Sequence, residues 1–313
     1  MKKMLNKAHL EGRISEHSLE LRTSKSGVPY IGGKIMVATD DKGINVVPVE
    51  IIYVTEKSKN GSTNKTFEAL SVIMNRGKTI LMDGLENATI VRIDSSISLN
   101  EWYRDENGQK SLVSTKRISG GFVHIENELK SDETTRNTFE AEMVITNTVL
   151  MEANEDYGTP EKLIVKGSVF DFAGRMLPVE FSVVNPNGIK YFENSLDVTP
   201  NTPVFTKVWG RLVNEVIKTT IVEESAFGDS SVREVEKTKR DWVITGMSKE
   251  AMEFDSEDTI TAKELHEAIA NRNIHLSDLL QSQIERENAK KNKDNAFNAG
   301  AKPAAPAPGG FTF

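Results

Sequence analysis

The sequence contains no cysteine, which excludes disulfide bonds and thiolate metal sites and fits a reducing compartment. No apolar run is long enough to cross a bilayer. The chain begins with Lys2 and Lys3 but has no apolar stretch behind them, so we predict no signal peptide. From these absences we expect a soluble protein located in the cytoplasm.

Motifs for catalysis are also missing. The sequence has no Walker loop, no nucleophile elbow and no His-Glu-x-x-His run. Two pairs of neighbouring acids, Asp40-Asp41 and Glu223-Glu224, fall at predicted turns or strand ends, where solvated carboxylates are ordinary. Metal-ligand spacing is absent from the five histidines, which are His9, His17, His124, His266 and His275. We therefore expect a protein that is not an enzyme and has no catalytic residue, metal or cofactor.

Charge is unevenly distributed along the chain, whose formal net charge is -7. Residues 1–126 carry 18 Lys and Arg against 15 Asp and Glu, a balance of +3. Residues 127–285 carry 16 against 29, and residues 286–313 carry 5 against 2. A polyanionic partner therefore suits the first part of the chain better than the acidic middle.

The most informative segment runs from Ile90 to Ile125. Two runs rich in β-branched residues flank Asn107-Gly108, and Asn-Gly in this position predicts a β-hairpin. Alternation places Ile97, Leu99 and Tyr103 on the core side of the first arm. The opposite side is polar and combines an aromatic ring with a cation; it carries Ser98, Asn100, Trp102 and Arg104.

Residues 1–126 predict a first domain with the fold of a five-stranded oligonucleotide/oligosaccharide-binding (OB) barrel. Short alternating strands precede the hairpin, and Gly32-Gly33 within one of them predicts a bulge or tight bend. A helical pattern over residues 66–75, ended by Arg76-Gly77, lies in the connection before the hairpin. Several strands, one connecting helix and a late long hairpin together favour the OB barrel.

Residues 127–248 repeat this outline. Pro48-Val49-Glu50 recurs as Pro178-Val179-Glu180, and Lys116-Arg117 recurs as Lys239-Arg240. A second long hairpin is predicted from residues 208–223 and 232–239, turning around residues 226–229. The shared order favours a mainly β chain of two tandem OB-like barrels, the second an acidic duplicate. The alternative is two unrelated small barrels that share turns and strand lengths.

The C-terminal region predicts a different structure. Thr261 and Glu264 form a capping box that begins one helix, and a second helix is expected at residues 277–288, within a helical segment at 249–288. Residues 289–313 have little material for a core and predict a disordered Pro/Ala/Gly tail. Phe311 and Phe313 at its end either dock into a partner's groove or simply end the chain.

Candidate ligand-binding residues follow from the OB prediction, because such barrels bind single strands through cations and stacking aromatic rings. In the first domain Tyr30 shares a face with Lys34, and Trp102 shares a face with Arg104. Phe122, Trp209 and the neighbouring Trp242 have core positions as an alternative. The full set of predicted DNA-binding residues is Arg22, Tyr30, Lys34, Arg92, Trp102, Arg104, Lys116, Arg117, Phe122, Trp209, Arg211, Lys239 and Arg240.

The stretch LEGRISEHSLELRTSKSG…YIGGKIMVATD, with the long hairpin behind it, resembles the OB-fold single-stranded DNA-binding proteins of bacteria and their phages. The resemblance covers residues 1–126 best and reaches the second half through the repeat. It implies a protein that coats and protects single-stranded DNA in replication, recombination or repair, and two barrels per chain fit a phage replication protein in the host cytoplasm. Bacterial members recruit replication and repair proteins through an acidic tip ending in Phe; this chain ends on Phe313 without the acids. The alternative function is a β-barrel assembly protein of a virion or secretion system.

Overall fold

The computed structural model describes residues 4–58, 60–153, 160–199, 202–223, 231–252 and 259–299. For residues 216–223, 231–239 and 290–299 the description covers the backbone alone. These ranges form a mainly β structure in which eleven strands belong to one continuous sheet. No helix within them is long and apolar enough to span a membrane.

Five strands of the first half close into a ring, here called barrel 1. β1 pairs with β3, β3 with β4, β4 in parallel with β6, β6 with β5, and β5 returns to β1. This connectivity, with a helix before the last hairpin, is that of the predicted OB barrel. The elements are β1 (Asn6–His17), β2 (Glu20–Thr23), β3 (Pro29–Ala38), β4 (Val46–Thr55), α1 (Lys65–Arg76), α2 (Ile80–Asp83), β5 (Ile90–Glu106) and β6 (Gln109–Glu126).

The second half forms barrel 2 with the same connectivity. β7 pairs with β8, β8 with β9, β9 in parallel with β11, β11 with β10, and β10 returns to β7. The prediction of two tandem OB-like barrels is therefore confirmed. The elements are β7 (Asn137–Met151), β8 (Lys162–Phe170), β9 (Met176–Val183), α3 (Pro186–Ser195), β10 (Val204–Glu223) and β11 (Ser231–Met247).

Alternation along the strands decides which side chains fill the barrels. Leu10 and Ile14 of β1 and Ile35 of β3 are fully buried, while the residues between them face outward or pack at the barrel ends. The register of β3 shifts between Ile31 and Gly33, as the Gly-Gly pair predicts. Gly33 has a φ of 137°, and a Cβ there would lie 2.1 Å from the carbonyl oxygen of Ser18. The bend therefore requires glycine.

The hairpin of β5 and β6, here called hairpin 1, turns where the sequence predicts. Glu106 lies opposite Gln109, and the two residues between them, Asn107 and Gly108, have φ values of 56° and 84°. Positive φ at both central residues is the requirement of the type I′ turn that Asn-Gly favours. The arms remain paired from Ile90 to Glu126, so hairpin 1 extends well beyond the barrel wall.

The two barrels share a sheet because β1 also pairs with β7, from Asn6 opposite Ala141 to Leu10 opposite Asn137. Glu11 of β1 fixes the connection between the barrels. Its carboxylate is 2% exposed and accepts hydrogen bonds from the backbone N–H groups of Lys130 and Ser131. Burial alone would raise the pKa of Glu11, but these hydrogen bonds outweigh it and hold the pKa below 4.5.

The C-terminal region forms one helix, α4 (Ala262–Ala299), where the sequence predicts two. Thr261 and Glu264 make the predicted capping box. The prediction of a break before residue 277 was wrong because no Gly or Pro occurs between the two predicted segments. The prediction of disorder from residue 289 was wrong as far as Ala299, because the first helix-ending glycine is Gly300. Residues 300–313 lie outside the described ranges.

α4 crosses hairpin 1 and corrects the assignment of Tyr103 to the barrel core. Tyr103 is half-buried, and its backbone N–H and C=O bond the side-chain amide of Gln283 at 3.0 and 2.6 Å. Its position follows from the length of hairpin 1, which carries Tyr103 past the barrel interior to a place where α4 covers it. Further out, Lys110 and Glu287 form an ion pair at 2.7 Å.

Candidate nucleic-acid interface

A cleft of about 1160 Å³ lies between the two barrels. The outward faces of β3 and β4 and the arms of hairpin 1 form its barrel 1 side. Residues of β8, β9 and the paired β10 and β11 form its barrel 2 side, and α4 adds Arg272. In OB barrels oligonucleotides bind across the second and third strands, which here are β3 and β4, and β8 and β9. The ligand-binding faces of both barrels therefore line one cleft.

The lining of the cleft is strongly cationic. Among the side chains that the structure describes, it has six Lys or Arg and two carboxylates. A polyanion would be attracted to a concave surface with this excess of one sign. The carboxylates are Glu50 and Glu180, and the cations are Lys34, Lys116, Arg117, Lys166, Arg240 and Arg272, of which the sequence analysis names all but Lys166 and Arg272.

Both barrels present the same cross-strand pair to the cleft. Lys34 of β3 lies opposite Glu50 of β4, and Lys166 of β8 lies opposite Glu180 of β9. The Lys Nζ atoms lie 3.5 and 3.2 Å from the respective carboxylates. The repeated Pro-Val-Glu sequence therefore occupies equivalent positions in the third strand of each ring.

Lys116 of hairpin 1 reaches across the cleft to barrel 2. Its ammonium donates to the carbonyl oxygen of Glu180 and lies 5.1 Å from the ring centre of Trp242 and 5.7 Å from that of Phe181. The stem of Lys116 is exposed, yet desolvation of the ammonium among these groups lowers its pKa below 10.5, despite the opposing charges of Asp241 and Glu180. This cation sits where an aromatic ring also borders the cleft.

Arg117 points to the other side of the hairpin, because neighbouring residues of a strand alternate. Its guanidinium contacts the carboxylate of Glu50, and its Nε donates to the hydroxyl of Ser98 at 3.2 Å. Lys116 and Arg117 thus serve different barrels. The predicted basic pair is real, but its two members face opposite walls of the cleft.

An aromatic pair lies on the outward face of barrel 1 in line with the cleft. The rings of Tyr30 and Tyr53 have centroids 4.4 Å apart and are tilted by 37°. Tyr30 is four residues from Lys34 along β3, roughly 13 Å by strand geometry. Arg22 lies opposite Tyr30 on β2, and its hydrogen bond to Glu20 together with the charge of Glu20 raises the pKa of the guanidinium. One face of β3 therefore carries an aromatic platform at one end and a cation of the cleft towards the other.

Four predicted residues do not line the cleft but belong to strands of the sheet that joins the barrels. They belong to β5, β6 and β10, which are linked through the pairing of β1 with β7. Phe122 is 68% exposed and Trp209 is 40% exposed there. Arg92 pairs with Asp94 and Glu126, and Arg211 donates to Asn137.

Trp102 and Arg104 lie further out on hairpin 1, beyond the cleft lining. Trp102 is half-buried and is two residues past Asn100, a lining residue on the same strand face. Arg104 is exposed and pairs with Glu106 at 3.6 Å. For Lys239 the backbone position in β11 is described, opposite Glu215, but the side chain lies outside the description. Phe311 and Phe313 also lie outside the described residues.

Comparison with known families places the chain. The model of the YorF family matches residues 4–282, which include both barrels and the first part of α4. The chain belongs to the YorF family. No curated protein matches it.

Solved structures similar to this YorF-family chain include two of one bacterial protein. The wild-type single-stranded DNA-binding protein from Thermus aquaticus has a TM-score of 0.45 and 11% identity, with 80% of this chain and 96% of that chain covered. A deletion mutant of the single-stranded DNA-binding protein from the same organism has a TM-score of 0.44 and 12% identity, covering 82% and 100%. The assignment of the OB-like barrels rests on the strand pairing described above.

Sequence reasoning missed three residues of this surface. Tyr53 was overlooked because a register shift in β4 breaks the alternation and leaves both Ile52 and Tyr53 exposed. Lys166 carried a usable signal, since it precedes the second Pro-Val-Glu by twelve residues much as Lys34 precedes the first by fourteen. Arg272 carried none, because its place depends on how α4 crosses the barrels.

Proposed function

We propose that this protein binds single-stranded DNA in the cleft between its two barrels. The observation that carries the proposal is the cleft lining, with six cations against two carboxylates on the ligand-binding faces of two OB-like barrels. Cations of this kind pair with phosphates, and the exposed rings of Tyr30 and Tyr53 offer a surface on which bases stack. The groove is suited to a flexible strand that follows both walls.

The salt dependence of binding follows from the number of phosphate contacts. For single strands the slope of log K against log salt is about -0.7 per phosphate neutralised. If all six cations made such contacts, the slope would be about -4, and the two carboxylates reduce this towards about -2. Raising the salt concentration from 50 to 200 mM should then weaken binding roughly 20- to 250-fold.

The proposal is tested by fluorescence anisotropy with a labelled oligo-dT over a salt series. The variant Lys34→Met/Lys166→Met removes one cation from each barrel face and should weaken binding at least tenfold and flatten the slope by about 1 to 1.5. Lys263→Met is the matched control, because Lys263 is 86% exposed on α4 and does not line the cleft. Salt-independent binding, or equal losses in the two variants, would contradict the proposal.

The proposed activity is binding without chemical change to the strand, in the service of DNA replication, recombination or repair. Within the described residues, no three His, Asp or Glu side chains are grouped to hold a metal ion. We expect bound oligonucleotides to be recovered intact after incubation with Mg²⁺, and to be protected from an added single-strand nuclease. Cleavage by the protein itself would refute this part of the proposal.

A further inference from the structure

The two carboxylates in the cleft occupy equivalent and central positions. Glu50 and Glu180 each lie on the third strand of a barrel, opposite Lys34 and Lys166 respectively. Both project into the same cleft from opposite walls. Acids at the centre of a surface that attracts a polyanion weaken that attraction, so their presence in both barrels calls for a physical explanation.

Each carboxylate engages cations that a phosphate would also use. Glu50 contacts Arg117 and lies 3.5 Å from Lys34. Glu180 lies 3.2 Å from Lys166, and its own backbone oxygen accepts from Lys116. Four of the cations that line the cleft are therefore held by one of two glutamates in the absence of ligand.

We propose that Glu50 and Glu180 are internal competitors of the ligand's phosphates and set the affinity of the cleft for a single strand. The inference rests on the proposed function. A phosphate entering beside Lys34 or Lys166 must share or displace a carboxylate. Because pairs of this exposure contribute little stability, a phosphate can displace them without unfolding either barrel.

This arrangement favours a ligand that reaches both walls of the cleft. A single phosphate that displaces one carboxylate gains one contact and exposes one unpaired acid. A strand with several phosphates contacts Lys34, Arg117 and Lys166 together, so it repays both displacements in one binding event. The two glutamates thus select polyanions over small anions, and they keep the bound strand exchangeable.

The test compares Glu50→Gln, Glu180→Gln and the double variant with wild type, using labelled oligo-dT in anisotropy titrations. Each single substitution should tighten binding about three- to fivefold, and the double variant about tenfold or more, with a steeper salt slope. Glu180→Gln is the safer single variant, because its side chain is 58% exposed and the backbone acceptor for Lys116 remains. Glu128→Gln, at an exposed position outside the cleft, is the control for net charge and should leave binding unchanged.

The outcomes separate this inference from the proposed function. If wild type binds oligo-dT and the variants, checked for folding by thermal melting, bind equally or more weakly, the glutamates position the cations instead and the inference is overturned. It is also overturned if Glu128→Gln tightens binding as much as the cleft variants. If neither wild type nor the variants bind, the proposed function fails, and the inference fails with it.

Discussion

The aromatic pair on β3 and β4 gives the sharpest test of where a strand binds. Tyr53 is 50% exposed and faces the ring of Tyr30 at a centroid distance of 4.4 Å. A stacked base contributes roughly 1–3 kcal/mol, so Tyr53→Ala should weaken oligo-dT binding about 5- to 150-fold. Losing the contact between the two rings should cost stability about 0.5–1.5 kcal/mol, which leaves the protein folded.

Phe122→Ala is the matched comparison, because it removes a similar ring from the same barrel. Phe122 is 68% exposed on β6 but does not line the cleft. Anisotropy titrations at fixed salt, with thermal melts on both variants, should show a large loss of affinity for Tyr53→Ala and almost none for Phe122→Ala. The opposite order, or equal losses, would refute the placement of the strand along β3 and favour the sheet that joins the barrels.

Three further predictions concern charge. Affinity should fall as the pH rises through the lowered pKa of Lys116, below 10.5, because the ammonium then loses the proton that a phosphate needs; titrations of Lys116→Arg across the same pH range should stay level, and a parallel fall would contradict this. Arg272 and Glu101 form an ion pair at 2.6 Å with side chains 11% and 5% exposed, so Arg272→Met should lower the free energy of unfolding by about 3–5 kcal/mol in urea melts, with part restored by adding Glu101→Gln. Glu11→Gln should destabilise by about 1–3 kcal/mol at neutral pH. Since the folded pKa of Glu11 is depressed, its contribution is present above pH 4.5 and lost as the pH falls through the folded value, so wild type and variant should converge in acid.

The elements that sequence reasoning predicted best are those with local causes. Asn107-Gly108 fixes a turn by its own backbone preference, and Gly32-Gly33 marks a bend that only a residue without a Cβ can make. The ring closures were predicted by analogy with a known barrel, since pairing between distant strands such as β4 and β6 leaves no local signal. The repeat of Pro-Val-Glu indicated two similar barrels, and the structure adds that its glutamates meet in one cleft.

The candidate site was harder to predict because alternation gives only the face of a strand. It places Phe122, Trp209 and Tyr30 equally well on outward faces, but it does not say which outward face borders the other barrel. That depends on the pairing of β1 with β7 and on where hairpin 1 ends, both of which are long-range contacts. Lys116 and Arg117 show the limit clearly, since adjacent cations in sequence serve opposite walls.

The charge of the second barrel finally has to be judged by face and not by sum. Residues 127–285 carry a balance of -13, which by itself argues against a polyanion on that half. Yet barrel 2 contributes Lys166 and Arg240 to the cleft and one carboxylate, Glu180, among the described side chains. At 0.15 M salt the field of a charge is screened within about 8 Å, so acids on the remote side of the barrel act weakly on a strand in the cleft. An acidic domain can therefore present a cationic wall, and the local lining decides the partner.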